Sequence, residues 1–402
     1  MKRAQRPCPL CRHGQVDILH AQTFVLPERH PLEAGYDVVC CACCGFVYAD
    51  TDVPQSAYDR YYAELSKYED AKTGTGGGDQ PWDDERLATT AETIAAHVSD
   101  NEAKVVDIGC ANGGLLRHLS RRGFDHLYGV DPSPRCASAT GAIPGAVGAV
   151  GSLFSLPGGL ENAGCVILSH VMEHVHEVRE GIAAVRRLLA NSGMIYVEVP
   201  DATRYTDCLT APFQDFNTEH INYFGPASLR TLLTLEGFDV LAVERKTISA
   251  AAGIPYPAVY AIGRASGSPA EGDAVPLDPE LRGSIAEYVR RSADLMEAID
   301  ARLATMTDGK SSIVVWGVGQ LTFKLLAMTR LARVPIRAFI DTNPKYHGAT
   351  LRGVRIHPPE ALLDFGDPVL VATLLHGDAI TERIRELGAS NRVHRLEGNQ
   401  PR

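Results

Sequence analysis

Two cysteine pairs near the start of the chain have the residue type and spacing of a metal site. Cys8-Pro-Leu-Cys11 and Cys41-Ala-Cys43-Cys44 each place two thiols where a tight turn can aim both at one ion. Four thiolates suit tetrahedral zinc, and because they fill every coordination position such a site is structural rather than catalytic. Cys40 with Cys43 is a competing pair, but Gly45 favours Cys41 with Cys44 because a glycine helps the chain leave the turn. A redox pair is the alternative. The pattern predicts a structural Zn²⁺ bound by Cys8, Cys11, Cys41 and Cys44.

A glycine turn between two predicted strands has the pattern of a nucleotide site. Val105-Val106 read as a buried strand closed by Asp107, a turn and a helix follow, and a second strand ends at Asp131. Glycines let a ligand lie against the backbone, and the carboxylate after the second strand can accept hydrogen bonds from both ribose hydroxyls. A dinucleotide site would need G-x-G-x-x-G, but Ala111 stands where the second glycine belongs. The spacing therefore argues against a dinucleotide.

The D-x-G-x-x-x-G spacing resembles motif I of the class I S-adenosylmethionine (SAM) methyltransferases. This resemblance implies an α/β, Rossmann-like domain in which the turn wraps the amino-acid end of SAM and Asp131 holds the ribose. Ser152 and Leu153 follow the predicted third strand and would hold adenine, and His170 would line the pocket near the methyl group. The predicted residues for the amino-acid end are Asp107, Gly109, Cys110, Asn112 and Gly113.

The run His170-x-x-Glu173-His174 matches an inverted zinc-protease pattern. A protease of that kind carries the motif within one helix, whereas here the motif spans the end of the fourth strand and the start of a helix. We therefore expect no protease site, and we expect Glu173 and His174 to begin the helix.

A second group of side chains that could take part in catalysis is Glu219-His220, in a polar loop beyond the predicted fifth strand. A histidine beside a carboxylate at the carboxyl end of a parallel sheet lies where such folds bind substrate. It could remove a proton while SAM delivers a methyl group. The alternative is a histidine that only caps the loop. Tyr223-Phe224 follow, and Pro226 begins a predicted helix.

These features together resemble the sugar C-methyltransferase family of deoxysugar biosynthesis. The resemblance covers nearly the whole chain: the four cysteines, the 107–113 turn, the E-H-x-x-Y-F loop and a C-terminal α/β domain. It implies that His220 removes the proton alpha to a ketone of a sugar attached to a nucleoside diphosphate, and that Glu219 orients or polarises the reacting groups. Tyr223 and Tyr62 are the further catalytic candidates.

The chain departs from that family in three places that touch the acceptor rather than SAM. Asn217-Thr218 stand where Tyr-His is usual, the early tyrosine-serine segment survives only in part as 61–66, and the C-terminal glycine turn lacks the usual lysine. An O- or N-methyl transfer to another natural-product scaffold would use the same histidine. A non-catalytic SAM- or nucleotide-binding module is the alternative from another class.

A tyrosine-rich stretch, AYDRYYAELSKYED, leads into a glycine run at 74–78. It is either a connector that packs its aromatic rings on a neighbouring domain, or a lid that brings a phenol, such as that of Tyr62, over the substrate.

Three domains are predicted: a zinc-binding segment with this connector at 1–80, a SAM-binding domain at 81–265, and a C-terminal Rossmann-like domain at 279–402. In the last, Gly317-Val318-Gly319 forms a second glycine turn, but Thr322 stands at the third glycine position, which makes an NAD site a minor alternative. By the resemblance, this domain helps enclose the substrate.

The composition of the 402 residues limits the classes of molecule that we expect the protein to bind. A net charge of −10 argues weakly against nucleic acid, and no apolar run is long enough for a membrane span or a signal peptide. We expect a cytoplasmic protein, a monomer or weak homo-oligomer, that acts on a small-molecule acceptor. The identity of the acceptor and the atom that receives the methyl group are not encoded in any recognisable pattern.

Overall fold

The computed structural model describes residues 1–65, 76–266, 275–307 and 311–396. Tyr68 and the start of the 74–78 glycine run, both part of the predicted connector, lie outside these residues. The helices are α1 Gln55–Leu65, α2 Pro81–His97, α3 Gly114–Arg121, α4 Pro134–Gly141, α5 Val178–Leu188, α6 Pro226–Leu235, α7 Leu281–Met306, α8 Gln320–Met328 and α9 Gly377–Glu386. The strands are β1 Lys2–Arg3, β2 Gln15–Thr23, β3 Gly35–Cys41, β4 Val47–Asp50, β5 Val105–Ile108, β6 Leu127–Asp131, β7 Ala146–Val150, β8 Ala163–Ser169, β9 Leu189–Pro200, β10 Asn222–Tyr223, β11 Phe238–Ala251, β12 Ile254–Ala265, β13 Ile313–Trp316, β14 Ile336–Ile340, β15 Thr350–Leu351, β16 Val354–His357, β17 Val369–Val371 and β18 Val393–Arg395.

The chain divides into two compact units, each built from more than one stretch. The first comprises Met1–Ile18, Val38–Cys208 and Glu219–Ile285. The second comprises Leu19–Asp37, Leu209–Thr218 and Ala286–Arg402. The predicted division at 1–80, 81–265 and 279–402 stays a prediction.

The first unit is built on a seven-stranded sheet in the order β11-β12-β9-β8-β5-β6-β7. Strands β5 to β9 pair in parallel, and β12 runs antiparallel to both β9 and β11. The strand β5 is buried along its whole length, as expected for a parallel strand covered on both faces by helices. On one face, Leu115, Leu116 and Leu119 of α3 pack into a core with α2. This confirms the predicted α/β fold.

The second unit carries a six-stranded sheet in the order β15-β16-β14-β13-β17-β18. All its pairings are parallel except that of β15 with β16. Trp316 lies in the core of this sheet beside Val314 and Ile340. The predicted C-terminal α/β domain is therefore present.

A smaller five-stranded sheet has the order β1-β2-β3-β4-β10. Its last strand comes from far along the chain: Asn222 pairs with Tyr48 and Tyr223 with Val47, antiparallel. The backbone directly after His220 is thus fixed to the segment that contains the cysteines. Among the described residues, no helix has the length and apolar character needed to cross a membrane.

Candidate active site

The turn after β5 has the conformation that its glycines allow. Gly109 has φ 82° and Gly113 has φ 75°, in the left-handed region that glycine adopts without strain. A Cβ atom on Gly109 would lie 2.7 Å from Cγ2 of Val171, and one on Gly113 would lie 2.6 Å from Cδ1 of Ile143. Side chains at these positions would collide with the residues packed behind the turn, so both its conformation and its packing require glycine.

Two carboxylates flank this turn. Asp131 accepts hydrogen bonds from the backbone N–H groups of Ala111 (3.0 Å) and Ser133 (2.9 Å), which fixes it at the carboxyl end of β6 beside the turn. Asp107 is buried. Burial, together with the nearby charge of Asp131, raises the pKa of Asp107 to about 7. A cationic ligand group would therefore favour the ionised form of Asp107.

The predicted adenine residues lie directly after β7. Leu153 is buried, and the Ser152 hydroxyl donates to Oδ2 of Asp59 at 3.0 Å. Since Asp59 lies on α1, the tyrosine-bearing helix is bonded to the predicted adenine side of the pocket.

His170 directly follows β8, has φ 56° and lies between two carboxylates. Its Nδ1 donates to Glu173 at 3.2 Å and its Nε2 donates to Glu198 at 3.1 Å. Burial lowers the pKa of His170, but the two carboxylates outweigh burial and raise it to about 9. The imidazole is therefore held as a cation near neutral pH.

The prediction that Glu173 and His174 begin the helix is wrong. Residues Met172–His174 form a single 3₁₀ turn, and α5 begins at Val178. Both side chains are buried instead of facing solvent on a first helical turn. The separate turn arises because the backbone N–H of Ile221 bonds to the Glu173 carbonyl at 2.8 Å, which ties this segment to the loop of His220.

The side chains of Tyr61, Tyr62 and His174 contact Glu219-His220. The buried Glu219 carboxylate accepts hydrogen bonds from the Tyr61 hydroxyl at 2.9 Å and the Tyr62 hydroxyl at 3.0 Å. His174 donates from Nδ1 to the Glu219 carbonyl at 3.0 Å, and its ring lies edge-on to that of His220 with centroids 4.9 Å apart. His220 is half-buried.

The Tyr223 hydroxyl does not bond to the Glu219 carboxylate as that of Tyr62 does, but to the backbone of the same loop. Tyr223 is fully buried, and its hydroxyl donates to the backbone carbonyl of His220 at 3.1 Å. It therefore fixes the orientation of the loop, whereas the Tyr62 ring is half-buried beside His174.

The four predicted metal ligands also come together. Sγ of Cys8 lies 3.6 Å from that of Cys44, and Sγ of Cys11 lies 3.5 Å from that of Cys41. Zinc–sulfur bonds of about 2.3 Å in a tetrahedron put the sulfur atoms ~3.8 Å apart, so the cluster fits a zinc ion.

The two cysteine turns have the same shape. Arg12 donates its N–H to the Cys8 carbonyl at 2.8 Å, and Gly45 donates to the Cys41 carbonyl at 3.0 Å. Both residues have positive φ, 61° and 75°. The remaining cysteines of this region are not among these four: the Cys40 thiol bonds to the carbonyls of Cys41 and Gly45, and Cys43 is exposed, with its thiol near that of Cys11.

Several groups at the site were not singled out by the sequence. Tyr61 bonds to Glu219 as directly as Tyr62 does, and the His174 ring contacts that of His220. The buried Glu198, which bonds to His170, also forms an ion pair with the half-buried Lys246 at 2.5 Å. A polar residue inside an otherwise apolar strand, such as Glu198 in Ile195–Val199, is a signal that could have marked it, because buried charges need partners.

Comparison with known proteins agrees with this geometry. A family model described as a methyltransferase domain matches residues 80–243, and one described as C2185-like, N-terminal, matches residues 309–393. The C-methyltransferase NovU of Streptomyces niveus is 29% identical over 279 residues, which are 63% of this chain and 61% of NovU. The chain thus aligns with less than two thirds of that relative.

Solved structures resemble part of the chain. The 1,6-didemethyltoxoflavin-N1-methyltransferase of Burkholderia thailandensis is 18% identical, with a TM-score of 0.39, and the match covers 55% of this chain and 96% of that one. A methyltransferase from Mesorhizobium loti described as S-adenosylmethionine dependent is 17% identical, with a TM-score of 0.36, and the match covers 44% and 99%. Residues 80–243 of this chain match the methyltransferase-domain model, and the strand order and glycine turn described above are those of the class I methyltransferase fold.

Proposed function

We propose that this protein is a SAM-dependent C-methyltransferase that acts at the carbon alpha to a ketone, on a nucleotide-linked deoxysugar or a related natural-product intermediate. The observation that carries the proposal is the placement of His220, half-buried, beside His174 and next to a carboxylate that two tyrosine hydroxyls hold in place. The C-methyltransferase relative and the resemblance of the E-H-x-x-Y-F loop support the choice of carbon over oxygen or nitrogen.

The residues around the glycine turn fit SAM. Bare backbone at Gly109 and Gly113 would hold its amino-acid end with Asp107, Cys110 and Asn112, and Asp131 would hold the ribose. Ser152 and Leu153 would hold adenine, and His170 would lie near the sulfur side. SAM supplies the methyl group and leaves as S-adenosylhomocysteine.

The chain's own residues handle the proton. His220 accepts the proton alpha to the ketone, and the electron pair of that C–H bond becomes available at the carbon that is methylated. Glu219, beside it in the chain, favours the imidazolium that results. His174 and Tyr223 fix the loop through the carbonyls of Glu219 and His220, so the base keeps its orientation while its charge changes. His220 then returns the proton to water.

A structural zinc in the cysteine cluster is part of the proposal. Its role would be to hold the two cysteine turns together, since four thiolates leave no coordination position for a substrate.

Proton removal can be tested apart from methyl transfer. The protein is incubated in D₂O with S-adenosylhomocysteine and a panel of nucleotide-linked keto sugars, and mass spectrometry measures deuterium uptake. With SAM in H₂O, the same panel is examined for the gain of one methyl group. We expect one acceptor to show both, whereas an O- or N-methyl transfer would give the methyl gain without deuterium at carbon.

His220→Ala should retain its affinity for S-adenosylhomocysteine and lose both deuterium exchange and turnover by on the order of 10²–10⁴, the usual contribution of a general base. His126→Ala, at an exposed position, is the matched control. Turnover by His220→Ala at the unmodified rate would remove His220 from the mechanism.

A further inference from the structure

We propose that Glu173, His174 and His220 form a second metal site, which binds a divalent cation of the zinc class and thereby blocks the base. The cation site follows from geometry alone. Its inhibitory effect rests on the proposed role of His220.

The three side chains offer a complete set of protein ligands. One ligand atom of each lies within 4.8 Å of those of the other two, and Nε2 of His174 is 3.8 Å from Oε1 of Glu173. Two imidazoles with one carboxylate make a site for zinc or cobalt that leaves one coordination position open. This is a different kind of site from the closed cysteine cluster.

His174 is already oriented as a ligand. Its Nδ1–H donates to the Glu219 backbone carbonyl at 3.0 Å, so the lone pair is on Nε2, the atom nearer to Glu173. A metal-bound histidine commonly donates its other ring N–H to a carbonyl or carboxylate in this way.

Glu173 supplies an independent observation. Its side chain is about 1% exposed, and its Oε2 has no hydrogen-bond donor in the described part of the chain. Its Oε1 is oriented by His170 Nδ1 at 3.2 Å. A buried carboxylate oxygen with no donor carries a desolvation penalty, which a bound cation would offset.

A cation at this site would inhibit the proposed reaction. A cation bound by the imidazole of His220 takes the lone pair that must accept the substrate proton. The acceptor and the cation therefore compete for the same histidine, whereas SAM binding at the glycine turn needs none of the three ligands.

The binding experiment uses the full-length protein with its cysteine cluster loaded with zinc and excess metal removed. Titration with ZnCl₂ by calorimetry should show one further equivalent. That equivalent should be lost in His174→Gln and in Glu173→Gln, with melting curves checked for each. It should be retained in His126→Gln, which changes an exposed cluster of Glu102, Asp125 and His126. Absence of the equivalent, its retention in both site variants, or its loss in His126→Gln would each overturn the proposal.

Cobalt tests the ligand set without any substitution. Co²⁺ added to the zinc-loaded protein should give the weak visible bands of nitrogen and oxygen ligands. A strong sulfur-to-cobalt charge-transfer band would place the ion at the cysteines instead and contradict the assignment.

Measurements of turnover test whether the bound cation inhibits the enzyme. Saturating Zn²⁺ should lower the rate by about tenfold or more, a chelator should restore it, and a higher acceptor concentration should weaken the inhibition. If no acceptor is ever methylated, the proposed function fails while the titration still decides the site. If zinc binds and turnover is unchanged, the inhibitory role fails alone.

Discussion

Glu198 shows how one buried carboxylate can organise a charged site. It is fully buried, and it bonds to Lys246 and the Tyr196 hydroxyl, each at 2.5 Å, as well as to His170 at 3.1 Å. Burial raises the pKa of Glu198, but Lys246 and His170 outweigh burial and hold it well below its usual range. His170 keeps its position and charge because this carboxylate stays ionised.

Glu198→Gln should therefore lower the free energy of unfolding by about 1.5–3 kcal/mol, because it removes the hydrogen bonds of a buried carboxylate to the partly buried charges of Lys246 and His170. Denaturant unfolding measures the change. Glu244→Gln, at an exposed position on β11 in the same sheet, is the matched control and should change stability by less than about 1 kcal/mol. Equal losses in the two variants would contradict the organising role of Glu198.

Asp107 should make ligand affinity depend on pH. Its pKa is about 7, raised by burial and by Asp131, and the buried thiols of Cys110 and Cys165 are the other titratable groups that feel its charge. The ammonium group of S-adenosylhomocysteine favours the ionised form. Its affinity should therefore be about tenfold weaker at pH 6 than at pH 8, measured by calorimetry, and Asp107→Asn should flatten the profile.

The free energy of unfolding should change with pH in the opposite direction to the ligand affinity. Without ligand, the folded protein holds the Asp107 proton more tightly than the unfolded chain does. The free energy of unfolding should therefore fall as the pH rises from 3.8 to about 7. Asp107→Asn should remove this dependence in thermal melts. An unchanged pH profile in the variant would show that another group causes it.

At the scale of elements, α1 spans from the predicted SAM pocket to the Glu219-His220 loop. Gln55 accepts a hydrogen bond from the backbone of His176 at 2.9 Å, Asp59 accepts one from Ser152 at 3.0 Å, and Tyr61 and Tyr62 reach Glu219. Two of these contacts end on predicted site residues, Ser152 and Glu219, and both the connector and the lid interpretation of the tyrosine-rich segment stay predictions.

Tyr62→Phe should lower kcat by about tenfold and leave the KM for SAM within about twofold, because a hydrogen bond to a charged group is worth roughly 1.5–3 kcal/mol and this one lies on the acceptor side. Tyr61→Phe should act in the same way. In the double variant, the losses should not be additive, since both hydroxyls bind one carboxylate. A change confined to the KM for SAM would contradict this placement.

At the scale of the whole molecule, the cysteine cluster is connected to the Glu219-His220 loop through Arg6. Arg6 lies two residues before Cys8 and is buried, and its guanidinium donates to the Ile221 carbonyl at 3.3 Å and to Oδ1 of Asn222 at 3.0 Å. The two residues that accept these hydrogen bonds directly follow His220. A change at the cysteines should therefore reach this loop.

Cys8→Ser should lower both the melting temperature and kcat, while the affinity for S-adenosylhomocysteine stays within about twofold because the glycine turn is not involved. Metal analysis of the unmodified protein, after desalting, should give one equivalent of zinc, and the variant should have lost it. Cys43→Ser, at the exposed cysteine, is the matched control. No zinc in the unmodified protein would end the proposal of a structural zinc.

The sequence by itself determined those features that depend on neighbouring residues. The turn from Gly109 to Gly113 needs left-handed backbone, which only a few residue types allow, and each C-x-x-C pair fits one tight turn. The fold class followed because apolar strands alternating with amphipathic helices pack in few ways. These are constraints of dihedral angle and period, which act over a few positions and can be read directly.

Only the tertiary structure decided which polar groups meet. Glu219 bonds to tyrosines about 160 residues earlier in the chain, and Glu198 binds Lys246 on another strand. Glu173 and His174, expected to begin a helix, were drawn into the site by a backbone bond to Ile221. A buried polar group requires a partner, but its sequence does not name the partner, because that choice depends on how distant strands align.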